Sequence, residues 1–200
     1  HEAVAVDPRT GIVYQTEDAW YQPENPAQPG AGCYRFIPRR RGHLAEGGRL
    51  QILTVPNRPN YVTASKQRPG TTVPAAWVDI EAPDPGAAEA DPSAVFREGL
   101  AKGAAIFARL EGAWAGDRGI YLVSTNGGDA RAGQLFFYRP VSRDAGELTL
   151  VFESPSREVL DAPDNICARP RGGLIMCEDG GGDQFVRGLD RQGRIVDLVR

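Results

Sequence analysis

EAVAVDPRTGIVYQTED, at residues 2–18, is the first of three similar stretches of this sequence. The other two are EGAWAGDRGIYLVST at 111–125 and DNICARPRGGLIMCEDG at 164–180. Each has an acidic residue, a short strand, a turn built from Asp, Pro or Gly, and a more apolar strand that ends in a polar residue. The offset from the opening acid to the closing residue is 15, 14 and 14. Because this offset is nearly constant, we interpret the stretches as an internal repeat.

Two further strands are predicted after each repeat. Third strands are expected at 32–38, 133–140 and 184–189, and fourth strands at 50–55, 148–152 and 195–199. Short strands rich in Tyr, Phe and Val, separated by Gly, Asp and Pro turns, are typical of antiparallel meanders. Four strands per unit, repeated about every 50 residues, indicate a β-propeller blade. The sequence therefore predicts an all-β fold made of about three propeller blades.

The predicted blades occupy residues 1–55, 104–155 and 156–200, and an insertion occupies 56–103. The insertion explains why the opening acids are separated by 109 and then by 53 residues. Its prolines and Ala-rich stretch predict a loop followed by a helix over 91–99, with Asp91 as the N-cap. Propellers close with about four to eight blades. We therefore expect the complete ring to include further blades or a second copy of the chain.

Composition excludes several classes of protein. No window approaches the roughly 18 consecutive apolar residues of a membrane span, so no membrane partner is expected. The formal charge of −3 and the dispersed basic residues give no basic stripe for nucleic acid. Three cysteines without CxxC spacing leave the redox compartment undecided. The sequence has no initiator Met or apolar leader, and we expect it to be a fragment of a longer protein.

The opening acids of the three repeats are the candidate site. In a propeller the first strand of every blade lines the axial channel and runs in the same direction, so Glu2, Glu111 and Asp164 are expected around one rim. The second strands return to that rim and bring Glu17 and Glu178 near it. Converging carboxylates need cations, and hard oxygen ligands suit Ca²⁺, Mg²⁺, Mn²⁺ or Fe³⁺. The pattern therefore predicts metal binding.

Arg109 stands two residues before Glu111, so the two side chains share a face of an extended strand. A guanidinium beside metal-bound carboxylates suits an anionic substrate such as a phosphate. The sequence has no G-x-S-x-G motif and only two histidines, His1 and His43, which argues against a Ser-His-Asp triad or a His-rich zinc site. The alternative is that these acids are solvated turn residues and that Arg109 is a surface ion-pair partner.

Several segments resemble the PhoX-type alkaline phosphatases of bacteria. These are residues 1–7 with 16–18, 109–112, 163–166 and 174–180. The resemblance implies an irregular six-bladed propeller, export by the twin-arginine route, and a site of iron and calcium bridged by an oxo group that acts on phosphomonoesters. The expected location is therefore periplasmic or extracellular.

The resemblance also implies roles for individual residues. Glu2, Glu111 and Asp164 would be metal ligands, Arg109 would bind the phosphate, and Glu17 and Glu178 would be further calcium ligands. Asn165, beside Asp164, is expected to contact the substrate. Family members are far longer, and their N-terminal half supplies further acidic ligands and a cysteine ligand to iron. None of the three cysteines here matches that ligand, so this chain is expected to hold half of the cluster.

The resulting prediction is a metal-dependent phosphatase that uses iron (Fe³⁺) and calcium to hydrolyse phosphate monoesters, with this chain supplying part of the site. One alternative is a calcium-dependent propeller lactonase, in which acid and amide ligands, Asn165 among them, hold one divalent ion. The other is a propeller module that binds a ligand without catalysis and uses its acids for structural calcium.

Overall fold

Short antiparallel strands make up most of the computed structural model, which describes residues 1–170 and 172–200. Strands account for 41% of the residues and helices for 8%, so the fold is nearly all-β. Twelve of the thirteen described strands form three four-stranded antiparallel meanders, and we call these blades 1, 2 and 3.

Each blade is built from four strands that pair in chain order. Blade 1 contains β1 (Val4–Val6), β2 (Val13–Thr16), β3 (Cys33–Pro38) and β4 (Gly48–Thr54). Blade 2 contains β6 (Leu110–Ala115), β7 (Ile120–Ser124), β8 (Gln134–Pro140) and β9 (Ala145–Glu153). Blade 3 contains β10 (Pro163–Ala168), β11 (Leu174–Glu178), β12 (Val186–Leu189) and β13 (Ile195–Val199).

Residues 56–103 contain a strand that the sequence analysis does not predict. Strand β5 (Thr72–Asp79) pairs with β4 on one side and with β9 on the other. Blades 1 and 2 therefore join through their outer strands into one nine-stranded sheet, and β10–β13 form a separate sheet. The first strands β1 and β6 lie beside each other, so the larger sheet nearly closes on itself. This arrangement is consistent with part of a propeller.

The predicted helix begins later than expected. Helix α1 spans Ala94–Ala101, and its N-cap is Ser93 rather than Asp91. The Asp91 carboxylate instead accepts hydrogen bonds from the Ser93 N–H and hydroxyl at 3.0 and 2.5 Å, which forms a turn before the helix. In the described part of the chain, no helix is long and apolar enough to cross a membrane.

Three apolar clusters hold the blades together. The largest fills the space between blades 1 and 2, where the Trp77 indole donates a 2.8 Å hydrogen bond to the Tyr138 hydroxyl. A second packs α1 against blade 1 through Phe96 and Ile52. A third joins blades 2 and 3 through residues such as Val123 and Met176. Burial of these side chains fixes the relative positions of the first strands β1, β6 and β10.

Candidate functional site

Arg109 lies at the junction of blades 1 and 2, directly before β6. Its backbone is left-handed, with φ of 49°, a conformation that a non-glycine residue adopts at a cost of about 1 kcal/mol or more. The Arg109 N–H donates to Ala19 O of blade 1, and Arg109 O accepts from the Thr125 N–H of blade 2, both at 2.9 Å. Hydrogen bonds to both blades therefore hold this backbone in its unusual conformation.

The Arg109 guanidinium is fixed by two groups of blade 1. Nε and Nη2 donate to the two carboxylate oxygens of Asp18 at 2.8 and 3.0 Å, a bidentate ion pair. The guanidinium carbon also lies 4.9 Å from the centre of the Trp20 ring, within cation–π range. The hydrogen bond with Asp18 raises the pKa of Arg109, so this side chain is always charged.

Glu111 is a buried carboxyl group on the other side of Arg109. It is only 5% exposed, and its Oε1 lies 2.6 Å from Arg109 Nη2. That approach is poorly aligned with the N–H bonds, and Oε1 has no hydrogen-bond partner among the residues described. Burial, and then a hydrogen bond with the Asp164 carboxyl, raise the pKa of Glu111 to about 8. Glu111 and Asp164 thus form a pair of carboxyl groups in which burial disfavours the charged form of Glu111.

Gly112 allows the two carboxyl groups to meet. A Cβ at this position would lie 2.5 Å from Asp164 O and 3.0 Å from Asn165 Cα. The first strands of blades 2 and 3 therefore approach more closely here than any side chain would permit. Glu111 and Asp164 lie next to this point on their respective strands, and a hydrogen bond between their carboxyl groups contributes to the raised pKa of Glu111.

The carboxyl pair suits a hard cation. A buried carboxylate oxygen without a donor is the kind of ligand that calcium or ferric iron takes, and a cation would offset the burial that raises the pKa of Glu111. Within residues 1–170 and 172–200, no group of three or more His, Cys, Asp or Glu side chains is arranged to hold a metal ion. Glu111 and Asp164 can therefore supply some of the ligands of a metal ion, and the remaining ligands must come from other groups.

Glu2 and Glu17 lie in blade 1. Glu2 is exposed, and its side chain makes no hydrogen bond or ion pair within the described part of the chain. Glu17 is buried, and its Oε2 accepts hydrogen bonds from the Gly32 N–H at 2.7 Å and the Tyr34 hydroxyl at 3.0 Å. Burial raises the pKa of Glu17, although these two donors oppose the change. In the described part of the chain, no side-chain hydrogen bond or ion pair joins either residue to Glu111 or Asp164.

Glu178 in blade 3 has a role similar to that of Glu17. It is buried, and it accepts hydrogen bonds from the N–H groups of Asp161 and Phe185 and from Arg187 Nε at 2.9 to 3.0 Å. Phe185 precedes the third strand of its blade, as Gly32 does in blade 1. Both glutamates thus tie the second strand to the start of the third. Asn165, the remaining candidate, is exposed beside Asp164.

Asp18 and Trp20 belong to the site, although the sequence analysis assigns neither of them. Two acidic residues, Glu17 and Asp18, follow β2. Glu17 is the one predicted to be a metal ligand, whereas Asp18 is the one that contacts Arg109. The available signal was the position of Asp18 at the end of a second strand, on the rim that Arg109 shares. Cys33, Cys167 and Cys177 are free thiols, and no hydrogen bond in the described part of the chain joins any of them to Arg109, Glu111 or Asp164.

Comparison with known proteins gives the following similarities. A family profile described as "Alkaline phosphatase PhoX" matches residues 1–200. The chain is also similar to the solved structure "Pseudomonas fluorescens PhoX in complex with vanadate, a transition state analogue", with a TM-score of 0.65 and 17% sequence identity. The match covers 99% of this chain and 44% of that one, and at this identity it shows the fold alone. No curated protein matches the sequence.

Proposed function

The chain belongs to the PhoX alkaline phosphatase family, and on that premise we propose that it forms part of the active site of a metal-dependent phosphatase that hydrolyses phosphate monoesters. The observation that carries this proposal is the contact between Arg109 and Glu111, the buried member of the carboxyl pair. A fixed guanidinium beside carboxyl groups that need cations is the combination that binds and stabilises a phosphoryl group.

Arg109 is the residue we propose to contact the phosphate. Its planar fork presents N–H donors in a geometry that matches phosphate oxygens. Asp18 holds two of these nitrogens, so the guanidinium needs no reorganisation when charge develops on the phosphoryl oxygens. Since Arg109 Nη2 also lies against Glu111, a phosphate bound there would sit beside the carboxyl pair.

Glu111 and Asp164 are the residues we propose to hold metal, with Glu2 as a third ligand. When bound, iron and calcium would act as Lewis acids that polarise the phosphoryl group and offset its negative charge. The choice of these two ions follows the family resemblance. Glu17 and Glu178 remain proposed calcium ligands, although each already accepts hydrogen bonds from protein groups. Asn165 remains a proposed substrate contact.

The other half of the site would come from elsewhere in the protein. The chain spans 44% of the length of the Pseudomonas fluorescens PhoX chain, whose structure contains vanadate, a transition state analogue. We propose that further propeller blades, or a second copy of the chain, complete the metal shell. The proposed location, periplasmic or extracellular, also follows the family.

Replacing Arg109 with alanine in the full-length protein tests this proposal. We expect turnover of p-nitrophenyl phosphate to fall by about 10² to 10³, as when other preorganised charge-stabilising donors are removed, while metal content is retained. Arg118→Ala is the matched control, since Arg118 is an exposed arginine in the β6–β7 turn at the opposite end of blade 2. Unchanged kinetics in Arg109→Ala would remove Arg109 from the mechanism.

A further inference from the structure

Two buried threonines connect the second strand of one blade to the first strand of the next blade. Thr16 is the last residue of β2, and Thr125 directly follows β7. The Thr16 hydroxyl donates a 2.6 Å hydrogen bond to Glu111 O of blade 2. The Thr125 hydroxyl donates a 2.7 Å hydrogen bond to Pro163 O of blade 3. Both threonines are buried, so these bonds join successive blades without competition from solvent.

The two acceptor carbonyls lie where a first strand departs from regular pairing with its own blade. In the described part of the chain, residues 111–112 of β6 have no paired residue in β7, and residues 164–165 of β10 have none in β11. Both places are β-bulges, and a bulge changes the direction in which a side chain points. Glu111 and Asp164 are the first residues of these bulges. The threonine bonds therefore hold the backbone at the point where each proposed metal ligand is aimed.

Each threonine also bonds the backbone of a second residue of the site. The Thr125 N–H donates to Arg109 O at 2.9 Å. The Thr16 hydroxyl accepts the Ala3 N–H at 2.9 Å, and Thr16 O accepts the Glu2 N–H at 3.1 Å. Thr125 thus links the proposed phosphate-binding residue to blade 3, and Thr16 links the proposed metal ligand of blade 1 to blade 2.

We propose that Thr16 and Thr125 are positioning residues of the phosphatase site, and that their hydroxyls fix the relative positions of metal ligands on neighbouring blades. This inference rests on the proposed phosphatase function. Loss of either hydroxyl would take the donor away from a buried backbone carbonyl and allow the bulge to turn. Removal of groups that orient metal ligands typically lowers metal affinity or activity by about 10- to 100-fold.

The test uses valine, which is close to threonine in shape but lacks the hydroxyl, and serine, which keeps the hydroxyl. In the full-length protein we expect Thr16→Val and Thr125→Val each to weaken calcium binding by about tenfold. Plasma mass spectrometry measures the calcium that each protein retains after dialysis against increasing concentrations of the chelator EGTA. Thr16→Ser and Thr125→Ser should retain most of the wild-type affinity. Turnover of p-nitrophenyl phosphate, recorded on the same samples, should follow the metal content.

Thr63→Val is the matched control. Thr63 is also buried, and its hydroxyl donates a 3.0 Å hydrogen bond to Ile106 O, but neither residue is a proposed part of the site. We expect all three valine variants to lower the thermal unfolding midpoint by a similar amount, and Thr63→Val to keep the wild-type calcium affinity. Equal calcium affinity in the three valine variants would overturn the positioning role. A folded serine variant that has lost its calcium affinity would also overturn it.

The calcium affinity separates this inference from the proposed function. A wild-type protein that binds calcium but does not hydrolyse p-nitrophenyl phosphate would overturn the phosphatase proposal. The loss of affinity in Thr16→Val and Thr125→Val would then still support their role in positioning the ligands. A wild-type protein that retains no calcium would overturn both the positioning role and the proposed metal ligands.

Discussion

Arg109 shows how one residue can be positioned by two blades at once. Its left-handed backbone is held by hydrogen bonds to blades 1 and 2, and its guanidinium contacts Asp18, Trp20 and Glu111. These contacts fix an otherwise flexible side chain before any substrate binds. Preorganisation of this kind lowers the cost of aligning a charge with the transition state.

Asp18→Asn should weaken catalysis without affecting folding. Asparagine keeps the shape of the side chain but removes the charge that holds Arg109 Nε and Nη2. We expect kcat/KM for p-nitrophenyl phosphate to fall by about tenfold, because charge-assisted hydrogen bonds contribute more than neutral ones.

The measurement is steady-state kinetics together with the thermal unfolding midpoint. Asp18→Glu should recover part of the loss, since it restores the charge, and the midpoint should stay within a few degrees of the wild type. Full activity in Asp18→Asn would show that Arg109 does not depend on this partner.

The position of Arg109 beside Glu111 was predictable from the sequence, and its partner in blade 1 was not. Residues two apart on a strand share a face, and the common phase of the repeats placed Glu111 and Asp164 on one rim. Nothing local to Arg109 indicates a left-handed backbone that turns the guanidinium toward Asp18, 91 residues earlier. Asp18 follows a second strand, which is a signal for the shared rim, but its ion pair with Arg109 could be recognised only after the two blades were packed together.

At the scale of elements, the first strands of blades 2 and 3 meet at Gly112. Gly112→Ala would place a methyl group 2.5 Å from Asp164 O, so β6 and β10 must separate. We expect a loss of about 1–3 kcal/mol in the free energy of unfolding, as for other overpacked sites. The same shift should weaken metal binding by Glu111 and Asp164.

Urea denaturation and metal titration of the full-length protein measure both effects. Gly86→Ala is the matched control, because a Cβ at Gly86 meets no atom within 4 Å among the described residues and the backbone there is not left-handed. Equal behaviour of the two variants would contradict the close approach of β6 and β10.

The turn between β1 and β2 depends on Asp7. Its buried carboxylate accepts hydrogen bonds from the Arg9 N–H at 2.9 Å and from Arg9 Nε and Nη2 at 3.2 and 3.0 Å. Burial acts to raise the pKa of Asp7, but these donors outweigh it and hold the pKa below its ordinary value of 3.8. The ionised form therefore stabilises the fold.

Asp7→Asn should lower the free energy of unfolding by about 1 kcal/mol near pH 7. The loss is small because Arg9 is half exposed and solvent screens its ion pair with Asp7. An acid with a lowered pKa stabilises the fold above its unfolded pKa, and this contribution is lost as the pH falls through the folded pKa. The difference in the free energy of unfolding between wild type and variant should therefore become smaller as the pH falls below about 4.

Urea denaturation from pH 3 to 7 measures this difference, and Asp117→Asn in the corresponding β6–β7 turn is the control. A difference independent of pH would contradict this account.

Most strands were predictable because each blade repeats the same short pattern, whereas β5 was not. The strand Thr72–Asp79 contains Pro74 and follows Pro69 and Gly70. Proline and glycine at these positions predict a loop rather than a strand. Its pairing with β9 joins residues far apart in sequence, such as Thr72 and Thr149. Such long-range pairing leaves no local signal. Helix α1 was predicted, but its start was misplaced because the Asp91 carboxylate forms a turn two residues earlier.

At the scale of the whole molecule, the chain forms three blades that present one rim. Blades 1 and 2 are joined by β5, and blade 3 ends at β13, where Val196, Leu198 and Val199 remain exposed. An apolar outer strand of this kind suits contact with further structure. This agrees with the proposal that other blades, or a second copy, complete the ring and the metal shell.

The carboxyl pair beside Arg109 is proposed to hold the metal of a phosphatase. The most direct test is the metal content of the full-length protein and its Glu111→Gln variant by plasma mass spectrometry, with p-nitrophenyl phosphate turnover recorded on the same samples. We predict iron and calcium with turnover in the wild type, and loss of bound metal together with turnover in Glu111→Gln. A Glu111→Gln variant that keeps both its metal and its turnover would contradict the account.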